Sequence, residues 1–165
     1  MFVLGIDPGL TRCGYGCLEW SGPNRVRAVS AGVITTSAET PLPERLVILQ
    51  REVGELVAEL EPAVVAIERV LFQVNVQTAM MVGHASGVVM AEAARVGCEV
   101  VQYSPNEIKL AVTGWGGADK QQVERMVRAQ LGIEHELRPV DAADAIAVAL
   151  CHAAIVGVPT AGARP

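Results

Sequence analysis

Two short apolar runs, each closed by an acid, constrain this chain more than any other feature. Residues 2–6 end at Asp7 and residues 63–67 end at Glu68, and both runs read as buried strands. Between them Leu46, Leu49, Val53, Leu56, Val57 and Leu60 recur at helical spacing, with Glu44, Arg45, Arg51, Glu52, Glu55 and Glu59 elsewhere around the cylinder. A helix joining two strands of one sheet makes a right-handed crossover, which lays the second strand parallel to the first and beside it. Asp7 and Glu68 then finish neighbouring strands at one edge, where α/β sheets carry their ligands. Far along the chain Asp141 and Asp144 stand three apart in a helical pattern, so one helix face presents both.

The other segments complete a mixed sheet. Residues 14–20 and 26–36 are strand-like and are joined by Ser21-Gly22-Pro23-Asn24, a strong turn signal, so the first three strands form an antiparallel meander. Residues 98–103 make a fifth strand. Ser104 caps a short helix that carries Pro105 in its first turn, a mobile loop spans residues 113–118, and helices are expected over 119–131 and 140–156. The expected fold class is α/β, with three antiparallel strands, then two parallel ones, flanked by helices. The helix over 75–96 spreads Met80, Met81, Val82, Val88, Val89 and Met90 around much of its girth, more than one sheet covers. Its second face is expected to meet another copy of the chain, with Gly83 and Gly87 permitting close approach and Met81 and Val88 as test positions.

At 165 residues, 51% of them hydrophobic, the chain suits a single domain over 1–158 with a loose tail at 159–165. Residues 145–158 are apolar but short for a membrane span, and the first residues lack the basic stretch of a signal peptide, so a cytoplasmic protein with no membrane partner is expected. Cys13, Cys17, Cys98 and Cys151 show no C-x-x-C spacing and read as reduced thiols. A net charge of −5 runs against the basic footprint of nucleic-acid binders. Clustering sets the local field, however, and Arg12, Arg69, Lys109, Lys120, Arg125, Arg128 and Arg138 lie in segments able to flank the acids.

Acids gathered within a few ångströms repel one another unless cations or protons lie between them. Oxygen ligands select Mg²⁺, with Mn²⁺ as a substitute, and no His or Cys pair has zinc spacing. Two such ions about 4 Å apart activate water on one side of a phosphodiester and stabilise the leaving oxygen on the other. Among the histidines, His152 lies eight residues after Asp144 and is expected in the core or at the surface, His84 at an interface or bonded within its helix, and His135 in solvent.

Gly5-Ile6-Asp7-Pro8-Gly9-Leu10 with Thr11, Gly14 and Gly16, then Ala66-Ile67-Glu68, then Gly114-x-Gly116-x-Ala118-x-Lys120-x-Gln122-Val123, then Asp141-Ala142-Ala143-Asp144-Ala145 resembles the RuvC family of Holliday junction resolvases. The motifs recur in the family's order over all but the tail. The resemblance implies an RNase H-like fold, a homodimer, Mg²⁺-dependent paired nicking of four-way DNA junctions with two ions per site during catalysis, and work alongside the RuvA and RuvB branch-migration proteins. It places the catalytic, metal-holding acids at Asp7, Glu68, Asp141 and Asp144 and basic DNA contacts at Lys109 and Lys120, with Arg69 a further DNA candidate. Relatives carry an aromatic three residues after the catalytic Glu, where this chain has Leu71 followed by Phe72. Phe72 or Trp115 is then expected to supply the stacking surface that Leu71 lacks. Competing readings are a ribosomal-RNA processing nuclease of the YqgF kind, an actin-like or sugar-kinase ATP module, and a binding-only regulator. The ATP module is disfavoured because 165 residues leave no room for a second lobe.

Overall fold

The computed structural model describes residues 1–22, 25–70 and 75–157. Pro23 and Asn24 of the expected turn, Leu71, Phe72 and the tail lie outside the described residues. In chain order the elements are β1 (Phe2–Asp7), β2 (Arg12–Trp20), β3 (Val26–Thr35), α1 (Leu42–Leu60), β4 (Val64–Glu68), α2 (Val76–Arg95), β5 (Glu99–Tyr103), α3 (Pro105–Thr113), α4 (Lys120–Leu131) and α5 (Val140–Gly157). The strands form one sheet in the order β3-β2-β1-β4-β5. β1, β2 and β3 pair antiparallel, while β1 with β4 and β4 with β5 pair parallel, which is the mixed sheet that the segment pattern implies.

Register places the two strand-ending acids side by side, because Asp7 and Glu68 each follow one step after the Ile6 and Ile67 pair. Side-chain alternation then decides which way they point. Leu4, Ile6, Val65 and Ile67 pack with α1 and α2 on one face, whereas Val3 and Ala66 pack under α5 on the other. Asp7 and Glu68 are in phase with Val3 and Ala66, so both carboxylates emerge on the α5 face.

α5 comes unusually close to the sheet because the strands beneath it carry glycine. A Cβ on Gly5 would overlap the carbonyl of Ala145, one on Gly14 the carbonyl of Asp141, and one on Gly16 the side chain and backbone of Ile146. Alanine on the helix matches glycine on the sheet: Ala142, Ala143, Ala145, Ala147 and Ala149 are all buried. Burying Ile146, Val148 and Leu150 adds roughly 1.5–3 kcal/mol each. The helix is 18 residues long with a mean hydropathy of 1.7, so by length and composition it is long enough for a span, contrary to the shorter run read from the sequence. Most of it is buried within the domain instead, where it serves as the central core helix.

Other boundaries depart from the pattern for local reasons. α1 begins four residues before Leu46, since Leu42 extends its apolar face and proline is tolerated in a first turn. It ends where Glu61 turns left-handed at φ 44° ahead of Pro62. Ser104 with Glu107 and Asp119 with Gln122 form reciprocal capping boxes that start α3 and α4. All four cysteines are free; Cys13, Cys17 and Cys151 are buried and Cys98 is half-buried. Burial pushes Cys13 and Cys151 to about 12 and Cys17 to about 11, which suppresses the reactive thiolate.

Candidate active site

Asp7, Glu68 and Asp144 line one cleft of about 250 Å³, with Lys109 and Lys120 among its walls and Ile108, Val123 and Ala147 forming its apolar side. Each acid arrives by a different route. Asp7 and Glu68 end adjacent parallel strands, and Asp144 lies one turn into the helix that the glycine floor draws down onto the sheet. Asp141 stands at the start of that helix, over Gly14, and does not line the same cleft.

Burial first, then Glu68, Asp144 and Asp141, together push the Asp7 carboxyl up to about 7 against the opposing charge of Lys120. Glu68 is raised for the same reasons, burial first and then Asp144, while Lys120 and Lys109 hold it back. Two basic side chains take up part of the negative charge. Lys120 donates from Nζ to Asp144 Oδ2 at 2.8 Å, and this bond raises the lysine. Arg12 donates from Nε and Nη2 to Asp141 Oδ2 at 2.9 and 2.7 Å.

The expectation that four acids converge within a few ångströms is therefore corrected. Among the described residues no three of them approach closely enough to hold one ion. Arg12 and Lys120 draw the two helix acids to themselves, Asp141 and Asp144 each being paired with a basic side chain. The donor set still fits a hard divalent cation, because the cleft offers only carboxylate oxygens and its two strand acids are destabilised as anions.

Of the other expected positions, Lys109 lies in the cleft wall. Arg69 is exposed, and its Nη2 donates to the Gln102 carbonyl at 3.3 Å. Trp115 is 60% exposed beyond the end of α3, with its ring against Gly117. Thr113 Oγ1 accepts from the Trp115 amide at 3.1 Å and donates to its carbonyl at 2.9 Å. Arg125, Arg128 and Arg138 line a neighbouring cavity of about 450 Å³ that reaches Lys120 and Asp144. His152 is buried in the core, its Nδ1 paired with the Tyr103 hydroxyl at 2.8 Å, and has no place in the cleft.

Sequence reasoning missed the pairing of Arg12 with Asp141. Its only signal was a charged residue placed at the entry of a strand whose next inward positions are glycine.

The family model for crossover junction endodeoxyribonuclease RuvC matches residues 3–152. A curated protein of that name from Desulfitobacterium hafniense (strain DSM 10664 / DCB-2) is 47% identical over 153 residues, covering 93% of this chain and 92% of the relative. Another from Roseiflexus sp. (strain RS-1) is 47% identical over 150 residues, covering 91% and 89%. Among solved structures, Thermus thermophilus RuvC in complex with Holliday junction substrate superposes with a TM-score of 0.90 at 37% identity, covering 95% of each chain. A structure of Thermus thermophilus RuvC gives 0.88 at 37% identity, covering 94% of this chain and 95% of that one. The fold is RNase H-like, as the resemblance implied. With the motifs, the sheet order and these matches in agreement, the chain belongs to the RuvC family of crossover junction endodeoxyribonucleases, which are metal-dependent nucleases.

Proposed function

We propose that this protein resolves four-way DNA junctions by paired nicks, using Asp7, Glu68, Asp141 and Asp144 as its catalytic and metal-holding acids. The observation that carries this reading is the single cleft in which Asp7, Glu68 and Asp144 meet Lys109 and Lys120. These acids would hold Mg²⁺, or Mn²⁺ in its place, with two ions per site, and the metal would supply an activated water and charge stabilisation at the leaving oxygen. The chain's own residues do the rest. Lys109 offers a cation to the strand at the mouth of the cleft. Lys120, held on Asp144, is a flexible donor within reach of a bound phosphodiester. Ile108, Val123 and Ala147 keep one wall dry, which strengthens every charge interaction inside.

Trp115 and Arg69 are assigned to DNA contact, together with Leu71 and Phe72. An exposed indole on a loop suits base stacking. The protein acts as a homodimer in the cytoplasm with RuvA and RuvB, and residues 1–158 form its one domain. Support for the dimer comes from the outer side of α2, where Val76 is 75% and Met80 55% exposed. Met81 and Val88, the positions expected from the sequence at that interface, are half-buried and pack in part against the core formed with α1. The interface is therefore assigned to Val76, Met80, Gly83 and Gly87.

The test is a substrate panel: a synthetic four-way junction, a linear duplex and an RNA duplex of related sequence, each with Mg²⁺ or with chelator. Expected are paired nicks in the junction alone and only with metal. Equal cutting of linear or RNA duplex, or an inert junction, would refute the reading.

A further inference from the structure

A second cavity, of about 420 Å³, adjoins the loop that follows Asp7 and is unlike the acid cleft in charge. Arg12 and Arg45 line it, with Thr11, Gln77 and Thr78 as neutral polar partners, and among the described residues no acid does. In a chain of net charge −5 this is a local reversal. Arg45 is the unusual member, since it projects from α1 and is only 9% exposed. Its Nε donates to Thr36 Oγ1 at 2.9 Å and its Nη2 to Thr11 Oγ1 at 2.7 Å. Both acceptors are neutral hydroxyls.

A guanidinium withdrawn from water is costly unless an anion offsets it. Bracing a loop through two hydroxyls does not itself require a positive charge. Arg45 thus carries a charge that its protein partners leave uncompensated, at the wall of a cavity able to admit a ligand. The first turn of α2 contributes from the other side. Gln77 and Thr78 belong to it, and the positive end of a 20-residue helix favours an anion there.

We infer that the cavity between the loop after Asp7 and the first turn of α2 is a phosphate subsite, occupied by a backbone phosphodiester of the bound junction and served by Arg45, with Arg12, itself paired to Asp141, in its wall. The inference rests on the proposed function and deepens it. Lys109 and Lys120 hold the strand at the acid cleft, and Arg45 holds DNA beyond the loop that follows Asp7. Phosphate geometry suits this site, because planar guanidinium groups bind phosphate oxygens in pairs.

Thr78→Glu is the primary variant. Position 78 is exposed in the first turn of α2, where a glutamate suits the helix dipole, so folding is preserved and a carboxylate takes the place meant for phosphate. Junction affinity is measured across a salt series without catalytic metal for wild type, Thr78→Glu, Arg45→Lys and Arg45→Gln, with thermal unfolding followed in parallel. Thr78→Glu is expected to bind about tenfold more weakly and to lower the log–log salt slope by about 0.9, at unchanged melting temperature. Arg45→Lys should retain more affinity than Arg45→Gln. Wild-type affinity and slope in Thr78→Glu would overturn the subsite while leaving the junction reading intact. Failure of wild type to bind junctions at all would overturn both. A final arm uses inorganic phosphate: if it raises the wild-type melting temperature but not that of Thr78→Glu, while the junction slopes are identical, the site takes free phosphate and the DNA assignment is wrong.

Discussion

Small residues do opposite things on the two sides of this sheet. Under α5 the glycines are spent: Gly5, Gly14 and Gly16 lie so close to the helix that a methyl group at any of them would collide with it. On α2, a Cβ at Gly83 or Gly87 would meet nothing within 4 Å. The first set is a finished intramolecular interface whose product is geometric, since it sets Asp144 into the cleft of the strand acids and Asp141 over Gly14. The second set is a surface shaped for approach. Sequence alone shows glycine in both places, and only packing separates a completed contact from an available one.

The largest effect expected from this contrast is on stability. Gly14→Val forces α5 off β2 and should cost about 3 kcal/mol or more, taking Asp141 out of place and cleavage with it. Gly87→Ala should be neutral or stabilising by up to about 1 kcal/mol in the isolated fold, because alanine is the better helix former. Urea unfolding of the two variants decides the matter, and equal losses would break the comparison.

A second test sharpens it by asking whether α5 compresses charge. Asp7 sits at about 7 in the folded protein against an ordinary 3.8, so the folded state keeps a proton that the unfolded state releases. Its contribution to stability is whole below about pH 4 and is lost as pH rises through about 7, about 4 kcal/mol at most. The metal-free protein should therefore weaken toward pH 8, and Asp7→Asn should flatten that fall and be the more stable form at pH 8. Parallel pH profiles for the two proteins in urea would show that the cleft is not strained in this way.

On the open side, Met80→Glu should raise the dimer dissociation constant about 100-fold and leave a folded monomer. Sedimentation velocity reads this directly, and an unchanged dimer would move the interface elsewhere. The smallest effect belongs to Lys109→Ala on the α5 side. It should reduce the log–log salt slope of junction binding by about 0.9 without altering the fold, and an unchanged slope would leave the lysine as solvated surface.

Much of the site was legible before any coordinates. The two acid-terminated runs and the helix between them dictate a parallel pair, and alternation along each strand follows from Val3 and Ala66. What escaped was anything that depends on the third dimension. Helical periodicity assigns angles around α2 but does not say which angle faces the sheet, so it does not separate exposed Met80 from Met81 and Val88, which are half-buried against the core. Prolines at 41 and 43 masked the true start of α1 at Leu42. The pairing of the two helix acids with Arg12 and Lys120 was hidden for another reason, since each pair joins residues far apart in sequence. Arg45 looked like one more charge on the outside of α1, and its burial depends on Thr11 and Thr36, which are distant in sequence.

The central claim is that Asp7, Glu68, Asp141 and Asp144 act through metal on a bound junction. Its most direct test is single-turnover cleavage of a synthetic four-way junction with Mg²⁺ by wild type, Asp7→Asn, Glu68→Gln, Asp141→Asn and Asp144→Asn, with junction affinity measured on the same samples. The expected result is a loss of cleavage of about 100-fold or more in each variant with binding retained. Near wild-type cleavage by a folded Asp7→Asn or Glu68→Gln protein would contradict it.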